Sequence, residues 1–230
     1  MDFESTFGGS LREAAALIDH TELRPEAHAD DIRRRVDEAI EGGFAAVCLH
    51  GGWLDLARRR LSGAGPRLAA VIDFPHGAGG LRAKRDAAAA AWDAGADELD
   101  IVFARGLFLA GEEVAAAAEL EAVVKERPRG ALVKVILETA ALPPGAPRRR
   151  AAELAIEAGA DFLKTSPGFG PGGATVEDVR LLRSVAGPDR GVKASGGIRD
   201  AASFAAMVAA GANRIGASAG LAILKELSHG

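Results

Sequence analysis

Three phrases of nearly the same wording stand far apart in the chain: DAGAD at 93–97, EAGAD at 157–161 and AAGAN at 209–213. Each places a glycine where a helical pattern stops and a short apolar run starts, the position at which a helix C-terminus favours glycine. EGG at 41–43 does the same. A phrase that joins helix to strand and then recurs marks a chain built from repeated βα units rather than a solenoid.

The apolar runs predict eight strands, at 16–19, 44–49, 68–74, 98–103, 132–138, 161–165, 191–195 and 214–218. Helical spacing follows each, as in Ile32, Val36, Ala39 and Ile40, or Leu154, Ala155 and Ala158. Thr175, with Glu177 and Asp178 behind it, predicts a capped helix start. The units recur at roughly 23 to 34 residues, and a βαβ unit needs about 30. Eight of them in 230 residues, with no proline-rich linker, imply a single-domain α/β protein, a (β/α)8 TIM barrel. A doubly wound open sheet is the alternative. The expected division is an N-terminal extension with a helix over 1–15, the barrel over 16–222 and a short tail over 223–230.

Composition narrows the function. A net charge of -4 gives no footprint for nucleic acid. The arginine triplets at 33–35, 58–60 and 148–150 have acids nearby and read as solvated helix faces. No run approaches the ~20 apolar residues of a membrane span. The start, MDFESTFGGS, lacks the basic and apolar regions of a signal peptide. One cysteine, Cys48, permits no intrachain disulfide, and a cytoplasmic protein is expected.

Barrel chemistry sits at the C-terminal ends of strands. Lysines lie on three consecutive strands, Lys134, Lys164 and Lys193, and Asp100 stands on the strand before them. A lysine beside another cation has a depressed pKa and becomes nucleophilic near neutrality, as attack on a carbonyl to form a Schiff base requires. Lys164 and Lys193 are on neighbouring strands, and Asp100 with a water is the candidate proton carrier. Glycines follow strands 7 and 8, in SGG at 195–197 and GASAG at 216–220. Loops there, with a helix N-terminus, form the phosphate sites of such barrels.

LIDHT at 17–21, DELDIV at 97–102, KVILET at 134–139, AGADFLKTSPGFGPGGATVEDVRLLR at 158–183, GVKASGGIRD at 191–200 and NRIGASAG at 213–220 together resemble the deoxyribose-phosphate aldolases, a family of class I aldolases. The resemblance runs from about residue 16 to about residue 222. It implies reversible cleavage of 2-deoxy-D-ribose 5-phosphate to D-glyceraldehyde 3-phosphate and acetaldehyde. Lys164 matches the Schiff-base lysine, Lys193 the lysine that perturbs it, and Asp100 the aspartate of the proton relay. Gly168, Gly196, Gly197, Gly216 and Ser218 fall where the family holds the substrate phosphate. Thr165, Asp19 and Thr21 fall near its sugar. No cofactor and no metal are implied, since the iminium is the electron sink; the histidines show no metal-ligand spacing. The partners are small molecules, a sugar phosphate and an aldehyde; no nucleic acid or membrane is expected, and a homodimer and a homotetramer both stay open.

The chain departs from the family in three places. Leu49, His50, Gly51 and Gly52 replace the usual Asn-Pro after the strand-2 cysteine, Pro167 replaces a threonine, and there is no tyrosine for a C-terminal contribution to the site. Cys48 reads as a small buried apolar residue, or as a thiol facing the pocket. His20 reads as a hydrogen-bonded structural residue, Trp53 and Trp92 as packing, and Lys134 as a supporting ion-pair partner of Glu138 or Asp100. Two other readings remain: a sugar-phosphate isomerase or Schiff-base aldolase with another substrate on the same barrel, and a non-catalytic sugar-phosphate binder.

Overall fold

The computed structural model describes residues 9–62 and 65–229. Residues 1–8 of the expected N-terminal extension therefore lie outside the described residues, as does Gly230 of the tail. Eight parallel strands close into a barrel in sequence order, with β1 (Ile18–Glu22) pairing with both β2 (Ala46–His50) and β8 (Arg214–Ala217). Between them come β3 (Arg67–Ile72), β4 (Glu98–Val102), β5 (Leu132–Ile136), β6 (Phe162–Lys164) and β7 (Gly191–Ser195). The helices alternate with the strands: α1 (Leu11–Ala15), α2 (Ala29–Glu41), α3 (Leu54–Leu61), α4 (Gly80–Asp93), α5 (Arg105–Leu109), α6 (Glu113–Lys125), α7 (Ala146–Glu157), α8 (Val176–Ala186), α9 (Ala201–Ala209) and α10 (Gly220–Leu227).

The recurring phrase has a physical explanation. Gly95, Gly159 and Gly211 all adopt the left-handed conformation, with φ of 85°, 94° and 110°. The following alanine N–H reaches back to the carbonyl five residues earlier: Ala96 to Ala91, Ala160 to Ala155, Ala212 to Met207. That bond satisfies a helix-end carbonyl that would otherwise be orphaned. The last residue of each phrase then stitches two strands. Asp97, Asp161 and Asn213 accept, through a side-chain oxygen, the backbone N–H of Leu68, Val133 and Val192 at 2.7–2.8 Å. Only a short side chain with an acceptor oxygen fits that task, hence Asp, Asp and Asn.

Two apolar layers follow from strand alternation. Outward residues such as Val47, Leu49, Leu68, Leu99, Val133 and Val192 join the helix stripes, Ile32, Val36 and Ala39 among them, in one large core. Inward residues Ala46, Cys48, Ala69 and Val71, with Leu23, form a separate small cluster against which Phe74 packs. So the β2–β3 side of the barrel interior is apolar, and charged side chains fill the remainder.

Several expectations shift. β1 was expected at 16–19 and runs through Glu22, because its inward residues are polar and the apolar run stops short of the strand. Strand 5 ends at Ile136, and Glu138 beyond it has φ of 54°. Ile40, placed in the helical core stripe, is 40% exposed. The arginine triplets are not wholly solvated faces. Arg35 turns inward to Glu38 and to the Ser218 carbonyl, and Arg148 bonds Asp178 at 2.6 Å. Thr175 does cap α8, accepting from the Asp178 N–H at 3.1 Å.

Candidate active site

Strand alternation brings together what the sequence scatters. Asp19, Glu98, Asp100, Lys134, Lys164, Lys193 and Arg214 all meet inside the barrel. Lys164 and Lys193 are register partners across β6 and β7, and Asp100 and Lys134 are partners across β4 and β5. The Lys164 and Lys193 amines both donate to one oxygen, Asp100 Oδ2, at 2.6 and 2.7 Å. Lys134 donates to the other, Oδ1, at 2.6 Å and to Glu98 at 2.6 Å. Asp19 is fully buried and binds Lys193, with Arg214 at 2.7 Å on its other oxygen. Arg214 also reaches Glu98 at 3.2 Å and lies over the Phe162 ring, 5.4 Å from its centre.

Among the described residues the buried interior of this cluster holds three carboxylates and four basic groups, while Arg67, 47% exposed, reaches Glu98 from outside at 3.7 Å. Buried charge is tolerated when paired, so the count balances when one basic group is neutral. The pKa directions single out that group. Burial is the largest influence on Lys164 and lowers its pKa; Asp100 pulls the other way, and the Lys193 charge adds to the lowering. Burial also opposes charge on Lys193 and Lys134. There the carboxylates win, Asp100 first, and both pKa values rise above the ordinary lysine value. Arg214 is raised against burial by Asp19 and Glu98. Burial works to raise the Asp100 pKa, but Lys134, Lys164 and Lys193 override it and hold the carboxyl ionised, far below its ordinary value. The result is one amine with a lowered pKa beside a cation and an anion whose charges are favoured.

A cavity of about 180 Å³ opens above Lys164. Thr21, Gly168, Gly196, Gly197, Gly216 and Ser218 line it, all of them expected from the sequence. Gly168, Gly196 and Gly197 have φ of 88°, 93° and 80°, which side-chain-bearing residues rarely adopt. A side chain at Gly216 would collide with Ser195 and Lys193. Ala174 N–H donates to the Gly196 carbonyl at 3.0 Å, which locks the loop after β6 onto the loop after β7. Thr21 donates its hydroxyl to the Asp19 carbonyl at 3.0 Å.

Asp19 and Thr165 do not line this cavity. Asp19 is engaged below it, and Thr165 is fully buried, its hydroxyl donating to the Ser195 carbonyl and accepting from the Ser195 N–H. Lys134 pairs with Asp100 as expected but not with Glu138, which instead meets Arg105. Cys48 belongs to the inner apolar cluster, 4.0 Å from Asp100. Burial, with Asp100 beside it, pushes its thiol pKa up, so it rests as a thiol.

Sequence reading missed Glu98, Arg214, Arg199, Ser166 and Ser195. Arg199 lines the cavity and supplies a cation there. The Ser166 and Ser195 hydroxyls are buried with no hydrogen-bond partner among the described residues. Parity was the available signal: Glu98 precedes Asp100 by two, Ser166 follows Lys164 by two and Ser195 follows Lys193 by two, so each shares its neighbour's face.

Among the described residues, no group of three or more His, Cys, Asp or Glu is arranged to hold a metal ion. Among the described residues no helix is long and apolar enough to cross a membrane.

Known proteins resemble the chain over nearly its whole length. Residues 14–226 match the DeoC/LacD family aldolase profile. The deoxyribose-phosphate aldolase of Thermococcus gammatolerans is 49% identical over 216 residues, covering 93% of this chain and 96% of that protein. That of Bacillus subtilis is 44% identical, covering 92% and 94%. Among solved structures, the deoxyribose phosphate aldolase of Aeropyrum pernix, described as having a unique tetrameric structure, superposes with a TM-score of 0.87 at 34% identity, over 98% of this chain and 95% of that one. With a closed barrel, a lysine pair sharing one carboxylate oxygen and a matching profile over nearly its whole length, the chain belongs to the DeoC/LacD family of aldolases.

Proposed function

We propose that the protein is a class I aldolase that reversibly cleaves 2-deoxy-D-ribose 5-phosphate to D-glyceraldehyde 3-phosphate and acetaldehyde. The observation that carries the reading is the pair of lysines on one Asp100 oxygen, of which Lys164, at the floor of the cavity, is the one whose pKa is lowered.

The phosphate end of the substrate occupies the glycine-lined cavity, where Gly168, Gly196, Gly197 and Gly216 let backbone groups approach an anion and Arg199 supplies positive charge. The open-chain aldehyde then meets Lys164 at the cavity floor. The amine adds to C1, and loss of water leaves a protonated imine. A base removes the C3 hydroxyl proton, and the C2–C3 bond breaks. Its electron pair moves into the imine to form an enamine, and glyceraldehyde 3-phosphate departs. Protonation at C2 and addition of water release acetaldehyde and restore the amine. Asp100, held ionised, takes and returns the proton with a water. Lys193 stays protonated and disfavours a second charge on Lys164. Lys134, Glu98 and Arg214 hold Asp100 and Asp19 in place. Following the Aeropyrum pernix relative, the working assembly is an oligomer, which light scattering would size.

The test is to incubate the protein with acetaldehyde, reduce with borohydride and map the modified peptide by mass spectrometry. The expected adduct sits on Lys164 and vanishes in Lys164→Ala. Labelling spread over exposed lysines, or none, would overturn the mechanism.

A further inference from the structure

The strand-2 departure finds its place on the side of the barrel mouth away from the phosphate cavity. His50 closes β2, and Trp53 ends the turn that follows it. Together with Phe74, Pro75 and Phe169 they line a cleft of about 350 Å³. The aromatic wall is ordered. His50 donates its Nε2–H to the Leu23 carbonyl at 3.0 Å and sets its ring edge-on to Phe74, with centres 5.7 Å apart. Phe74 in turn meets Phe169 edge-on at 5.4 Å. Phe169 is 52% exposed, a large apolar face left open at the mouth.

Leu23 and Phe169 line both this cleft and the cavity above Lys164, so the two spaces adjoin across these side chains. Their chemistry is opposite. The cavity has glycine loops and Arg199, whereas among the described residues the one cation on the cleft, Arg24, is clasped by both oxygens of Glu22 at 2.9 and 2.8 Å. A phosphate finds no free positive charge in the cleft, but an aromatic ring finds edges and faces at the spacing such rings prefer.

We propose that this cleft is a second acceptor subsite, which takes the apolar tail of an unphosphorylated aryl-alkyl aldehyde while its carbonyl meets the enamine on Lys164. The proposal rests on the aldolase reading above. In the synthetic direction the enamine carbon of acetaldehyde attacks the acceptor carbonyl carbon, and one C–C bond forms. The carbonyl oxygen takes a proton, and the nitrogen becomes an iminium. Water then adds to the iminium carbon and the C–N bond breaks, so that acetaldehyde and acceptor leave as one 3-hydroxyaldehyde and the amine is restored. The volume suits one ring with a short chain, at the small end of ligand pockets.

The experiment compares propanal with 3-phenylpropanal as acceptors for acetaldehyde, and measures cleavage of 2-deoxyribose 5-phosphate on the same preparations. The expected result is kcat/KM for 3-phenylpropanal about tenfold above that for propanal, the size of effect that a stacked, buried ring supplies. Trp53→Ala removes most of that preference and leaves 2-deoxyribose 5-phosphate cleavage within about twofold. Trp53 packs partly on the core, so Trp53→Leu, which keeps bulk without the flat ring, and His50→Ala serve beside it; each is expected to lower the preference alone. No preference for the aryl acceptor in a wild type that cleaves 2-deoxyribose 5-phosphate overturns the subsite and spares the aldolase reading. So do equal losses on both substrates in all three variants. An aryl preference without 2-deoxyribose 5-phosphate cleavage supports the subsite and counts against the substrate assignment. Absence of both reactions overturns both.

Discussion

Lys193→Met is the most informative single change, because it alters the charge count without touching the reacting amine. Lys164 and Lys193 lie 2.6 and 2.7 Å from one oxygen, so at a separation of about 5 Å and an effective dielectric near 20 their repulsion is about 3 kcal/mol. Removing Lys193 leaves three carboxylates facing Lys134 and Arg214, and Lys164 becomes the third cation. The Lys164 pKa then rises, and the fraction of neutral amine falls by up to about a hundredfold at the low end of the pH range. The assay is the rate of borohydride-trapped adduct on Lys164 against pH, with circular dichroism to establish that the variant folds. The sign follows from the raised amine pKa: the deficit is largest at low pH and shrinks about tenfold for each unit of rise, until both proteins carry a neutral amine. A folded variant that traps acetaldehyde within about threefold of wild type at every pH would refute the electrostatic role of Lys193.

Two further outcomes are expected. Glu98→Gln leaves Lys134 and Arg214 short of a buried partner and should cost about 3 kcal/mol or more of stability by urea denaturation; a loss under about 1 kcal/mol would mean that the cluster rearranges freely. His20 has its pKa pulled down to about 4, first by burial and then by Arg35. It is neutral in the fold, while the unfolded chain binds the proton from about pH 6.5 downward. Stability is therefore full above about pH 6.5 and is lost as pH falls toward 4, by about 3 kcal/mol, and His20→Gln should flatten the unfolding free energy across that window. An unchanged slope in His20→Gln would place the pH dependence elsewhere.

The barrel was legible because its punctuation is local. Glycines at 95, 159 and 211, with the acceptor side chain two residues on, do the same task each time, and a short window contains all of it. Lys164, Lys193 and Asp100 were legible for a different reason: a charged residue in an apolar strand is conspicuous. The same rule hid the rest. Glu98 and Arg214 stand at the starts of their strands, where a charge looks like a solvated flank, yet both face inward. β1 was cut short because Asp19 and Thr21 break its apolar run from the inside. Arg35 sat in a triplet that reads as helix surface; its inward turn depends on His20 and on the Ser218 carbonyl, 183 residues away. Thr165 looked like a sugar ligand by position, and only the register of β6 against β7 shows its hydroxyl already committed. In each of these cases the missing information was a partner far along the chain.

That distance also governs when the interior can form. Asp19 finds its partners in Lys193 and Arg214, 174 and 195 residues later. The first strand therefore cannot pair its carboxylate with these two groups until nearly the whole chain is present. Long-range closure of this kind is slow, and it leaves a half-made sheet with open edges in the meantime. The burial and the Lys193 charge that lower the Lys164 pKa likewise need β4, β6 and β7 in place together. The lowered pKa of Lys164 is thus a property of the closed barrel and not of any local stretch of sequence.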